Sequence, residues 1–395
     1  MHTIAPDAVD TDAVDVESAA IRELVNDLID RHSPPEVTAR LDRERAFNTA
    51  LHEALADAGL IGLGNDAATS TPPDPRLEVA VLEELGAGPT SMAVCLVVQY
   101  MGVGLLAQYA DEAQRAEVLA PLVGGRGRVA FALSEPDGGT DVAAAMRTRA
   151  TRRADGTWSV SGTKTWISGP LVADNLILLA RTSEPTRSSI DGITMFLVPR
   201  DSDRLRITEL DTFAVHGLDT CTVELDEVAL PSHAVLGEVG MGFRQVLSTL
   251  NGERLNAAAV ALGIARGAMA VATKYAKERN AFRRPIASFQ ALQVRLVDSA
   301  IQIESARALL DRAATAAAQG RRADTLSAMA KVAASEAAVS ATDTGMRVMA
   351  GAGFSTEFPM ERLFRDARLY TFAPLTNEML RNYLAENHLG LPRSF

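Results

Sequence analysis

TWSVSGTKTWIS, residues 157–168, is dense in β-branched and aromatic side chains, the composition of a strand rather than of a helix. Four other short stretches share that texture: RVAFAL (128–133), NLILLARTS (175–183), GITMFLVP (192–199) and CTVELDEVALP (221–231). Each is set off by Gly, Pro, Asp or Ser, so together they predict a compact β domain over residues 124–236. The chain on either side has a different period. Upstream, Ile21, Leu24, Val25, Leu28 and Ile29 fall at the spacing of an amphipathic helix face beginning near Ser18. Phe47, Leu51 and Leu55 repeat it, Gly59 supplies a stop, the prolines of TSTPPDPR (69–76) predict a loop, and residues 77–123 return to helical spacing. Downstream of LGEVGMGF (236–243) come three long alanine-rich segments, 246–282, 290–320 and 325–353, whose small side chains let helices approach closely in a bundle or an oligomer interface. The expected organisation is a disordered acidic tail (1–17), an N-terminal helical domain (18–123), the β domain (124–236) and a C-terminal helical bundle (237–395).

Composition narrows the function classes. The net charge of −11 argues against a nucleic-acid partner, because phosphate binding is driven by Lys and Arg. The local basic run RNAFRR (279–284) either meets a phosphorylated cofactor or is a solvated helix end. Only two cysteines occur, Cys95 and Cys221, each inside an apolar or strand-like run, which predicts buried thiols in a reducing compartment. The acidic start has no apolar core, and no run of the about 20 apolar residues that a membrane span needs stands out. The expectation is a cytoplasmic protein with no membrane partner and no metal site.

Four motifs then stand in order. LSEPDGGTD (133–141) resembles the T-E-P-x-x-G-S-D segment of the acyl-CoA dehydrogenase family, and SGTKTWISG (161–169) resembles its G-x-K-x-W-I-T-N strand. YAKERNAFRRPIASFQALQ (275–293) and MAGAGFSTEFPMERLFRDARLY (349–370) are similar to two further segments of that family. The resemblance covers nearly the whole chain from about residue 20 and implies a mainly α fold with a central β domain: helical N-terminal domain, β-barrel-like middle domain and C-terminal four-helix bundle. It also implies FAD. A flavin needs its ring edges held by backbone and hydroxyl groups, its face covered and its pyrophosphate met by donors. By resemblance, Phe131, Leu133 and Ser134 line the ring, Trp166 and Ser168 lie on its other side, and Gly139 and Thr140 belong to a turn whose amides approach a phosphate. Arg279, Phe282, Gln290 and Gly351 match positions that the family lends to a neighbouring subunit, which implies a homo-oligomer, a dimer or a tetramer. Arg347 and Glu378 stand where the family carries Gln; the expectation is a paired swap in which Arg347 meets the pyrophosphate and Glu378 balances it, with Thr376 beside them at the cofactor.

The family's reaction takes an α-proton from an acyl thioester while a hydride leaves the β-carbon. It needs an ionised but desolvated base and a donor for the developing enolate oxygen. In RDARLYTFAPLTNEMLRN (365–382) the usual base position holds Pro374. Some family members carry the base instead just before an Arg at the start of the C-terminal domain, and here that place reads LNGERLN (250–256), so Glu253 is the expected base. Pro374 raises a second problem, since the family holds the thioester carbonyl partly by the backbone N–H of this position, and proline has none. Asn251 and Arg254 match positions near the pantetheine arm that coenzyme A and acyl-carrier protein share, and Glu386 stands where many members carry a second Arg, which weakens the case for an adenosine-phosphate site and leaves room for a carrier-protein-bound substrate. The electron acceptor implied is an electron-transfer flavoprotein or oxygen. Two other readings keep the fold: a flavin monooxygenase or N-hydroxylase, which needs no carboxylate at 374, and a non-catalytic relative.

Overall fold

The structure is a computed structural model that describes residues 11–63 and 74–394, and the backbone alone of residues 11–15, 250 and 251. The helical N-terminal part comprises α1 (Thr11–His32), α2 (Pro35–Glu44), α3 (Thr49–Asp57), α4 (Pro75–Gly86) and α5 (Thr90–Tyr109), followed by the short α6 (Glu112–Gln114), a π turn and α7 (Ala120–Val123). Helix α1 starts seven residues before Ser18, so residues 11–17 of the expected tail are helical, while residues 1–10 lie outside the described residues. The loop expected over 69–76 lies outside the described residues up to 73. Its end belongs to α4 instead: Asp74 caps the Arg76 N–H and Pro75 takes the first helical position, where its missing N–H costs no hydrogen bond.

The middle sheet contains β1 (Val129–Ala132), β2 (Arg149–Arg152), β3 (Trp158–Ser168), β4 (Asn175–Arg181), β5 (Ile193–Pro199), β6 (Leu205–Glu209), β7 (Thr220–Leu230) and β8 (Val235–Leu236). The strand order is β6-β7-β3-β2-β4-β5-β8, with β1 beside β4. Strands β1 and β4 run parallel, while β4 and β5 pair antiparallel and are buried on both faces, which explains their uninterrupted apolar runs.

The chain then forms α8 (Gly242–Val246), α9 (Leu250–Glu278), a minimal hairpin of β9 (Asn280–Ala281) and β10 (Arg284–Pro285), α10 (Gln290–Ala318), α11 (Asp324–Met349), α12 (Gly351–Phe354), α13 (Met360–Asp366) and α14 (Asn377–Asn387). One apolar core, from Val25 and Leu51 through Leu82 to Leu255, Ala306, Ala338 and Leu363, joins the two helical parts, and α4 packs directly on α9. A Cβ at Gly263 would overlap the Glu83 carbonyl oxygen, so the absence of a side chain there permits the close crossing. Two helices, α5 and the greater part of α9, are in fact long and apolar enough by length and composition to cross a membrane, contrary to the expectation from sequence. Both are mostly buried inside the fold, and their apolarity is that of core helices packed on every side.

Candidate active site

The expected site residues fall into three groups. The first is built where the segment after β1 meets β3, inside the sheet. Ser134 O accepts from Thr165 N–H at 2.9 Å, so the segment after β1 is laced to β3. Behind it lies a buried ion pair: Lys164 Nζ donates to Glu135 Oε1 at 2.7 Å and to the Leu133 carbonyl at 3.0 Å. Glu135 also accepts the backbone N–H of Arg147 and Thr148, at 2.6 and 3.0 Å. Burial works against its charge, but Lys164 and these hydrogen bonds outweigh that and hold the carboxyl below its ordinary range. The pair therefore locks the loop that carries Leu133, Ser134, Gly139 and Thr140. Nothing lies within contact distance of a Cβ placed on Gly139, and Gly139 and Thr140 are exposed, so the backbone there is open to a ligand.

Trp166 owes its position to an irregularity in β3. Lys164 pairs with Val223 and Ile167 with Cys221, so the β3 strand carries one residue more than β7 between these pairs. The bulge gives Trp166 a φ of 59° and leaves its indole 66% exposed, with Ser168 half-buried beyond it. Phe131 and Leu133 pack as half-buried residues on the core that contains Val246, four residues before α9. An exposed indole beside an open glycine turn and half-buried apolar side chains fits a flat ring system with a phosphate tail.

The second group lies where α9 begins. Glu253 sits in the first turn of α9, half-buried, and burial pushes its carboxyl up to about 7 against the opposing charge of Arg254. Arg254 lies over the Tyr383 ring of α14, 5.4 Å from its centroid, which ties this turn to the final helix. The Asn251 side chain lies outside the described residues. Pro374 is exposed and preceded by a cis peptide, and Thr376 caps α14 by accepting from Met379 N–H. The RDA segment just upstream serves as a hinge pin between domains: Arg365 binds Asp42 of α2 at 2.7 Å, and Asp366 accepts the Val215 N–H at 2.8 Å.

The third group is remote from the second. Arg279 follows α9, Phe282 stands at the hairpin tip with φ 53° and 90% exposure, and Gln290 opens α10. Arg347 and Gly351 lie at the end of α11, and Tyr275 of α9 meets Phe358 just beyond α12 edge-to-face at 6.0 Å. Helix α9 has 29 residues, so its two ends are roughly 40 Å apart at 1.5 Å per residue. Residues 253, 254, 374, 376 and 378 thus gather at one end of the bundle and 279, 282, 290, 347 and 351 at the other. Within the single chain, Arg347 binds Asp343 one turn back at 2.7 Å, and Glu378 lies in the field of Lys331. A salt bridge at i,i+4 on one helix needs no long-range approach.

Two features escaped the sequence reading. One is the Lys164–Glu135 pair, signalled only by a charged residue in an otherwise strand-like run. The other is Lys331, a buried cation in the first half of the alanine-rich α11, whose Nζ donates to the Leu375 carbonyl at 2.8 Å and to Asn377 Oδ1 at 2.9 Å.

Comparison with known proteins gives this geometry its context. Residues 15–126, 130–228 and 240–389 match, in order, the family descriptions acyl-CoA dehydrogenase N-terminal domain, middle domain and C-terminal domain. The mouse mitochondrial short-chain specific acyl-CoA dehydrogenase is 33% identical over 377 residues, 95% of this chain and 90% of that protein. The 3-sulfinopropanoyl-CoA desulfinase of Paraburkholderia xenovorans is also 33% identical, over 394 residues, 96% of this chain and 97% of that one. The solved structure of butyryl-CoA dehydrogenase from Megasphaera elsdenii superposes with a TM-score of 0.87 at 30% identity, covering 96% of this chain and 98% of that one. With three family domains in order over nearly its whole length, the chain belongs to the acyl-CoA dehydrogenase family of FAD-dependent oxidoreductases.

Proposed function

We propose that the protein dehydrogenates a short acyl thioester to its α,β-unsaturated product, with Glu253 as the base. The observation that carries this reading is the state of Glu253: half-buried in the first turn of α9, which Arg254 ties to α14, with a pKa of about 7. A carboxyl so placed is ionised in a substantial fraction at neutral pH yet retains high proton affinity, which suits removal of a weakly acidic α-proton. Phe131, Leu133, Ser134, Trp166 and Ser168 would hold the flavin ring, and Gly139 and Thr140 its phosphates. When bound, FAD supplies the acceptor for the β-hydride. Arg254 and Asn251 would orient the pantetheine arm.

The roughly 40 Å between the two ends of α9 supports a shared site, because residues at 279–290 and 347–351 cannot reach the same cofactor as Glu253 within one chain. A second copy brings them there. Val294, Val297 and Ile301 form an exposed apolar stripe on α10 beside this set, as a contact surface between copies requires. Short acyl chains on coenzyme A are favoured by the short-chain and butyryl-CoA relatives, and an electron-transferring flavoprotein as acceptor by the similar solved structure whose description names that protein from Acidaminococcus fermentans. The equal identity to a desulfinase means that the overall likeness does not select the reaction; the site does.

The test is anaerobic titration of the flavin-loaded protein with butyryl-CoA and butyryl-acyl-carrier protein. Bleaching of the oxidised flavin that disappears in Glu253→Gln is the expected result, and the more effective carrier identifies the substrate. An unbleached flavin, with oxygen consumed once reduced flavin and substrate are supplied, would instead assign the monooxygenase reading that the missing carboxylate at Pro374 favours.

A further inference from the structure

Pro374 removes both a side-chain base and a backbone donor, and only the first has an evident substitute. The segment after it is held in an unusual way. Lys331 and Ser335 of α11 are fully buried, and Asn377 is nearly so. Lys331 Nζ binds the Leu375 carbonyl at 2.8 Å and Asn377 Oδ1 at 2.9 Å, while Asn377 Nδ2 donates to Ser335 Oγ at 3.0 Å. No carboxylate among the described residues forms an ion pair with this ammonium, and burial pushes its pKa down to about 8, opposed by the charge of Glu378. An apolar side chain would fill the same space without that desolvation. What the lysine adds is direction. The Leu375–Thr376 peptide is trans and planar, so its carbonyl and its N–H point opposite ways. With the Leu375 oxygen drawn onto Lys331, the Thr376 N–H faces away from it, in a segment whose Phe372 and Pro374 are exposed. That N–H has no hydrogen-bond partner among the described residues, because as the cap of α14 it lies outside the helical ladder.

We infer that Lys331 is a positioning residue that turns the Thr376 amide toward the substrate, where it donates to the thioester carbonyl in place of the amide that Pro374 lacks. The inference rests on the thioester reading above. Withdrawal of a donor of this kind lowers kcat by about 10²- to 10³-fold with little change in KM.

The experiment reads the carbonyl itself. Crotonyl-CoA carrying ¹³C at the carbonyl is bound to the flavin-loaded protein, and its carbonyl stretch is recorded by infrared difference spectroscopy in the unaltered protein, Lys331→Met, Thr376→Ala and Thr376→Pro. The φ of −61° at Thr376 suits proline, so Thr376→Pro deletes the N–H at a compatible conformation, and Thr376→Ala controls for the lost hydroxyl. The expected result is a low-frequency stretch in the unaltered protein and in Thr376→Ala, moved up toward that of the free thioester in Thr376→Pro and Lys331→Met. An unmoved stretch in Thr376→Pro overturns the inference, as does loss of flavin from Thr376→Pro but not from Thr376→Ala, which would assign the amide to the cofactor. If Lys331→Met does not fold, the Thr376 pair still decides. Failure of the unaltered protein to bind the thioester would refute the functional reading itself, a distinct outcome.

Discussion

Glu83 and Glu253 are both carboxylates withdrawn from water by the same helical core, one on α4 and the other on α9, and the arginines around them separate their fates. Glu83 is fully buried and meets Arg22, Arg266 and Arg307, drawn from α1, α9 and α10. Burial opposes its ionisation, but hydrogen bonding and charge from these arginines overcome that and hold its pKa below the ordinary value. Glu253 has one adjacent arginine whose guanidinium is turned to Tyr383, and burial prevails. The same desolvation leaves a structural anion in one place and a carboxyl that keeps its proton toward neutral pH in the other; the number and geometry of the partners decide which.

That contrast can be broken from both sides. Glu253→Gln is expected to slow flavin reduction by roughly 10³-fold, about 4 kcal/mol in barrier height, in single-turnover measurements. The same substitution should stabilise the fold. A carboxyl with a folded-state pKa of about 7 holds its proton in the native state between pH 4.5 and 7, where the unfolded chain has released it. Its contribution therefore weakens the fold progressively as pH rises through that window and remains unfavourable above it. At pH 8 the variant should be more stable by on the order of 2 kcal/mol, and at pH 4.5 nearly unchanged, as read from urea denaturation. Equal effects at both pH values would mean that Glu253 is ionised normally.

Glu83→Gln should do the reverse, costing about 3 kcal/mol of stability with three arginines left under-compensated. Because the Glu83 pKa is depressed, its stabilisation is complete above the ordinary carboxylate range and disappears as pH falls through the folded-state value. Gly263→Ala attacks the same network through packing, since the added methyl group meets the Glu83 carbonyl and must push α4 off α9; a loss of about 2 kcal/mol is expected. A smaller gain should follow at the far end of the bundle. Ala350 adopts φ 50° and ψ −124°, a region that suits glycine, and Ala350→Gly should raise stability by about 1 kcal/mol in the same assay. At the bottom of the scale, Arg31→Ala breaks a highly exposed pair with Asp27 and should change stability by less than about 0.5 kcal/mol.

The α–β–α order was legible because it rests on local composition: strands dense in Val, Ile and Thr, and helices dense in Ala, need no knowledge of distant contacts. Pro75 misled because a proline opens a helix as readily as it marks a loop, and the Asp74 cap decides which. The apolarity of α5 and α9 was underestimated because Gln99, Tyr100 and Glu253 interrupt their runs, although the fold buries most of both helices. Within the candidate site, Glu253 and Trp166 could be proposed from motif positions. The Lys331–Leu375 contact could not, since 44 residues separate the partners and nothing local in an alanine-rich helix indicates which face will meet the final loop.

The length of α9 has a consequence for inheritance. If each site takes its base from one copy and its distal donors from another, a copy damaged at Glu253 still carries an intact far end, and a copy damaged at Arg279 still carries an intact base. Two inactive alleles, expressed together, would then rebuild one working site in every mixed pair, so lesions at opposite ends of this helix should complement each other while two lesions at the same end should not.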